Sequence, residues 1–206
     1  GNFATLVTSQ KIMKILMIGE NYDDSTGSVR LDFSKIYEDV KNKFAGYDNV
    51  QILKENSHEA VKIFPDESFD YAYIDASHQY EWVLRDLLEW SKKVKRGGII
   101  GVNDCSNSPQ GRKQNLGVLE AVCHFIKRSE WRPISLTLND FSELYITNDI
   151  QSSFVKYFTS NLLSKAPFVV EVDDSLLASY NHKIYATANE RKLVPSFQLG
   201  VTESMR

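Results

Sequence analysis

An aspartate and a histidine stand three residues apart, Asp75 and His78, where the apolar run "FDYAYI" stops. An imidazole titrates near neutrality, which makes His78 a candidate base. Other acids occupy comparable places. Glu20 closes "ILMIG", Asp104 follows "IIGVN", and Glu55 lies two residues past "VQIL". One acid after an apolar run means little, because turns are polar. Acids after four strands of one sheet face a common crevice, since open α/β sheets bind ligands beyond the carboxyl ends of their strands.

The elements that must hold these residues are legible from periodicity. "KIMKILMIGE" (11–20), "VQIL" (50–53), "FDYAYID" (69–75) and "IIGVND" (99–104) are short apolar runs bounded by turn residues, the mark of buried strands. Between them Phe33, Ile36, Tyr37, Val40 and Phe44 recur at helical spacing. Ser57 is the expected N-cap of a short helix with Ala60, Val61 and Phe64 inward. Tyr80, Val83, Leu84 and Leu87 form the stripe of the next helix, which "KRGG" is expected to end. Val118, Val122, Phe125 and Ile126 mark another. "RPISLTL" and "SELYITN" read as an antiparallel strand pair.

Strands alternating with helices give right-handed βαβ units. The expected fold class is α/β, a Rossmann-like doubly wound and mostly parallel sheet with an antiparallel edge strand. The pattern changes after Asn148, so we expect an α/β domain over 1–148 and a C-terminal extension over 149–206. Within the extension, 151–164 reads as a helix, and "PFVVEVD" and "YNHKIYAT" as two strands, a hairpin over 167–187.

Composition narrows the function classes. The chain has 206 residues, enough for one domain plus an extension, with 42% hydrophobic and 25% charged residues, the balance of a globular core. A formal net charge of -3 gives no global basic field for nucleic acid or an anionic membrane. No apolar run approaches the ~20 residues of a membrane span, and the start lacks the layout of a signal peptide. Two cysteines, Cys105 and Cys123, make no disulfide framework and match no zinc spacing. A reducing cytoplasm is the expected location, with a small-molecule partner and room for a homo-oligomer.

The runs "ILKENSHEAV", "FPDESFDYAYIDASHQYEWVLRDLLEWSKKVKRGGIIGVND" and "LGVLEAVCHFI" resemble class I S-adenosylmethionine-dependent methyltransferases. The nearest branch is the small-molecule O-methyltransferase-like one, similar to macrolide sugar O-methyltransferases and cephalosporin hydroxylase-type proteins. The resemblance implies S-adenosylmethionine as cofactor and a small hydroxylated metabolite as acceptor. By position, Glu20 matches the acid that accepts from the cofactor ribose hydroxyls, a task suited to a carboxylate. Glu55 and Ser57 match the adenine-side residues, and Asp75 the acid of the fourth strand. In metal-dependent members the fourth- and fifth-strand acids bind a cation, which here implies Asp75, Asn103 and Asp104 around Mg²⁺. Such a cation lowers the pKa of the acceptor hydroxyl, with His78 as base.

The family's first strand and glycine-rich loop are not found intact. With 11–20 as the second strand, "GNFATLVTS" becomes the end of that loop and its following helix, with Gly1 as the last glycine and a gap in the sheet. The alternative reading is therefore a degenerate, non-catalytic member of the fold with a binding or oligomerisation role. A phospho-receiver is disfavoured, because no lysine ends "GGIIGVND". Trp82 and Trp90 are read as packing residues, Cys105 as inert and His124 as a surface residue.

Overall fold

The computed structural model describes residues 5–9, 12–17, 33–139, 141–186 and 188–198. Gly1 and Glu20 lie outside the described residues. Among those described, eight strands form one sheet in the order β3-β2-β1-β4-β5-β7-β6-β8. Its centre is β4 (Phe69–Ile74) beside β5 (Val94–Val102), a parallel pair. β2 (Ile12–Met17) runs parallel to β3 (Val50–Lys54), which places residues 12–17 in the second position from that edge.

The expected gap is filled. Residues expected to form a helix are instead β1 (Thr5–Ser9), which pairs antiparallel with β2, Thr5 facing Leu16. The other edge of β1 pairs antiparallel with β4, Val7 facing Ala72. A strand can enter a sheet from either direction, because reversal preserves the supply of backbone donors and acceptors.

Two faces of apolar residues clothe this sheet. On one, α3 (Tyr80–Trp90) and α5 (Val118–Lys127) bury Val83, Leu87, Trp90, Val122 and Phe125 in the main core. Ala72, Ile74, Ile100 and Val102 point to that side, as the period-2 pattern of a strand requires. On the other face, Ile99, Ile134 and Val155 pack with Tyr71, Tyr145 and Phe158 beneath α6 (Ser153–Lys165). The expected inward residues Ala60, Val61 and Phe64 are buried, and α2 (Ser57–Ala60) runs on into a 3-10 turn.

"KRGG" does not end a helix. α3 stops at Trp90, and Lys95 to Gly98 form the first half of β5. Phe69 faces Val94 while Tyr71 faces Ile99, so β5 bulges there. Gly97 adopts φ +73, and a Cβ on it would lie 2.7 Å from Ser152. A residue with a side chain would be strained there twice over.

β6 (Arg132–Thr137) and β7 (Leu144–Thr147) form the expected antiparallel pair, with β7 inserted between β5 and β6. The segment after 148 is built into the same body. β8 (Val169–Val170) pairs with β6, and Val172, Leu177 and Tyr180 join the main core. The hairpin lies further on than expected: β9 (Asn181–Ala186) pairs with β10 (Arg191–Ser196), not with β8. No helix among the described residues is long and apolar enough to cross a membrane.

Candidate functional site

Parallel pairing carries β4 and β5 to the same end of the sheet, where Asn103 N donates to Ile74 O at 2.9 Å and extends the ladder by one residue. That bond brings Asp75 and the Asn103-Asp104 pair side by side. Asn103 Nδ2 donates to Asp75 Oδ1 at 3.1 Å. Asp104 has φ +55, a left-handed turn that aspartate tolerates better than most residues. The turn is anchored by Cys105 N donating to Ser142 O at 2.7 Å.

His78 lies in the loop between β4 and α3. Its Nε2 is 3.3 Å from Asp104 Oδ2 and 3.6 Å from Asp75 Oδ1. These are ion-pair distances, but the ring aligns with neither oxygen, so Nε2 is buried without a hydrogen bond. The loop is pinned from behind by Gly117 N, which donates to His78 O at 2.8 Å. Glycine is required at 117, since an added Cβ would sit 2.6 Å from Tyr80 N.

Two residues that the sequence did not point to complete the cluster. Leu144 faces Val102, which sets Glu143 across from Asn103. The Tyr73 hydroxyl donates to the Glu143 carboxylate, 2.7 Å from each oxygen, and lies 3.1 Å from Asn103 Oδ1. Burial pushes Glu143 up to about 6; the Tyr73 hydrogen bond opposes that shift, and Asp75 and Asp104 add to it. Burial also raises Asp104, with His78 pulling it down and Asp75 pushing it up. Burial, then the bond to Glu143, raises Tyr73 and keeps its phenol a donor. No local spacing links positions 73 and 143 to 75; only a charged residue at the mouth of a buried strand hints at Glu143.

The raised Glu143 makes a stability prediction. The folded state holds its proton more tightly than an ordinary carboxyl near 4.5, so stability is greatest below that value and is lost as pH rises through about 6. Glu143→Gln removes this loss. The variant is expected to gain on the order of 1 kcal/mol over wild type at pH 7 after discounting for solvent screening, and nothing at pH 4. Urea unfolding at the two pH values checks this. A difference that does not change with pH contradicts it.

Other expected site residues fare differently. Asn56, not Ser57, caps α2, its side chain accepting from His58 N at 2.9 Å. Ser57 is buried, its hydroxyl donated to Asp86 while it accepts from the Trp90 indole at 3.0 Å. Its hydroxyl is engaged inside the core by these two partners. Glu55 is exposed and accepts from Asn56 N at 2.9 Å. His124 is half-buried, with Nδ1 3.0 Å from the Tyr80 hydroxyl, rather than free on the surface. Cys105 is fully buried, and burial raises its thiol, as an inert cysteine requires.

The donor set does not fit the expected Mg²⁺ cage. Asn103 turns its amide nitrogen toward Asp75 and its oxygen toward Tyr73, so neither end is presented as a ligand beside that carboxylate. Among the described residues no group of three or more His, Cys, Asp or Glu is arranged to hold a metal ion. A cavity of about 530 Å³ between α6 and the start of β6 lies at the opposite end of the sheet and holds none of the site residues.

Residues 18–105 match a family described as "Methyltransferase domain". That segment, which contains Asp75, His78, Asn103 and Asp104, is similar to a methyltransferase domain. No curated protein matches the chain. Among solved structures it is similar to a Corynebacterium glutamicum protein at 15% identity and TM-score 0.45, covering 58% of this chain and 59% of that one. It is similar to the S-adenosylhomocysteine-bound methyltransferase PaMTH1 of Podospora anserina at 12% identity and TM-score 0.45, covering 65% and 59%. Spermidine synthase of Thermotoga maritima is similar at 16% identity and TM-score 0.41, covering 79% and 53%. The chain thus spans less than two thirds of the length of each of these proteins.

Proposed function

We propose that this domain methylates a hydroxyl group of a small molecule, with His78 taking the proton. The observation that carries this reading is an imidazole held between two carboxylates beyond adjacent parallel strands. Both carboxylates face Nε2, so the neutral ring keeps its proton there and leaves Nδ1 as the accepting atom. Once Nδ1 has taken the acceptor's proton, Asp75 and Asp104 stabilise the imidazolium across 3.6 and 3.3 Å. A hydroxyl needs such a base, because its proton is lost far above neutral pH. S-adenosylmethionine supplies the electrophilic methyl group. On this reading Gly1, Glu20 and Glu55 are the residues offered to the cofactor, and no step depends on a cation.

Calorimetric titration of S-adenosylmethionine, with and without Mg²⁺, tests the first half. Binding of similar strength in both conditions is expected. No binding in either favours the non-catalytic alternative, and binding only with Mg²⁺ overturns the cation-free site. Transfer of labelled methyl groups to a panel of hydroxylated and amine acceptors tests the second half. Transfer confined to amines rejects the hydroxyl as acceptor.

A further inference from the structure

Resting on the proton-transfer reading above, we propose that Tyr73 is a positioning residue for the Asp75–His78 pair and that Glu143 holds it in place. Tyr73 has one hydroxyl proton and three acceptor oxygens around it: both oxygens of Glu143 at 2.7 Å and Asn103 Oδ1 at 3.1 Å. On its other side Asn103 donates through Nδ2 to Asp75 Oδ1. That one proton is shared, in a multi-centre bond, between the Glu143 carboxylate and Asn103 Oδ1, so the amide is oriented from both ends, its oxygen toward the shared hydroxyl proton and its nitrogen toward a carboxylate. Rotating it by half a turn would set amide oxygen against carboxylate oxygen, a repulsive contact between two acceptors. Held as it is, the amide fixes the same Asp75 oxygen that lies 3.6 Å from His78 Nε2.

Each member of this chain is anchored by backbone. Asn103 is tied to β4 through Ile74 O. Glu143 is pinned to Thr137 twice: its N–H donates to Thr137 Oγ1 at 2.7 Å, and its carbonyl accepts from Thr137 N at 2.9 Å. The ring of Tyr73 lies against Gly101, where an added Cβ would come within 2.8 Å of Tyr73 Cδ2. β5 thus carries a glycine at the point where Tyr73 must lie flat against it. Positions 73, 103 and 143 come from three strand ends, so the chain of contacts spans β4, β5 and β7.

The test reads His78 and Asn103 directly, by nuclear magnetic resonance on the ligand-free chain at one neutral pH. Imidazole nitrogen shifts report which ring nitrogen carries the proton, and His78→Gln assigns the signal among the four histidines. In wild type we expect His78 protonated on Nε2 and the Asn103 side-chain amide protected from exchange. Tyr73→Phe should speed that exchange about three- to tenfold, the loss of one hydrogen bond, and shift His78 toward a mixture of tautomers. Glu143→Gln still offers Tyr73 an acceptor and should keep the wild-type signature.

A folded Tyr73→Phe with unchanged His78 and Asn103 signals overturns the proposal. So does a wild-type Asn103 amide that exchanges as fast as a free one, a result that needs no variant to fold. Because no cofactor is present, failure here is distinct from failure to bind S-adenosylmethionine.

Discussion

His78→Ala is expected to lower methyl transfer by about 10²- to 10⁴-fold, the usual contribution of a positioned general base. The imidazole is the one titratable nitrogen placed between Asp75 and Asp104 among the described residues. With it gone, the acceptor's proton must pass to water or to a carboxylate. A carboxylate is ordinarily a weaker base than imidazole, a difference that the burial of Asp104 narrows. The loss should fall on turnover, because on the proposed reading His78 acts on the acceptor side, while the affinity for S-adenosylmethionine stays near wild type. Added imidazole should restore part of the rate by occupying the vacated space. Turnover within about threefold of wild type would mean that the proton leaves by another route.

The second large effect is structural. Trp90→Ala is expected to cost about 3–5 kcal/mol, a sizeable share of the 5–15 kcal/mol typical of a folded domain. Trp90 is fully buried, with ring centroids 6.1 and 6.3 Å from Phe64 and Phe69. Its indole N–H also donates to Ser57, which in turn donates to the buried Asp86. Truncation therefore opens a cavity and removes a donor from a buried polar pair. Trp90→Phe narrows the first term: an aromatic ring is kept, while part of the indole's volume and the hydrogen bond, the latter about 1 kcal/mol, are lost. Urea denaturation of both variants at 25 °C reads the difference. Equal losses would show that packing against Phe64 and Phe69 contributes little.

Most elements around the site were readable from local pattern. Apolar runs closed by turn residues located β3, β4 and the second half of β5, and helical spacing located α3 and α5 with their inward faces. These signals are local, since a strand or helix shows its buried face within a few residues. Asp75, His78 and Asp104 were legible for the same reason. Each follows the end of a strand whose direction relative to its neighbour a βαβ connection dictates.

What local pattern could not supply was the choice among partners. Residues 5–9 suit a helix or a strand, and only pairing with β2 and β4 made them a reversed strand in the middle of the sheet. "KRGG" carries helix-stopping residues, yet the pairing of Phe69 with Val94 drew it into β5 as a bulge. Ser57 looked available for a ligand until Trp90 and Asp86, from the next helix, took its hydroxyl. Tyr73 and Glu143 are 70 residues apart and meet only because β7 slots in beside β5. The sequence by itself determined most of the elements, their buried faces and the acids at the strand ends, because those follow from short-range spacing. The tertiary structure alone decided the reversed direction of β1, the hydrogen-bond partners and the network around His78, because these depend on which distant segments compete for the same edge.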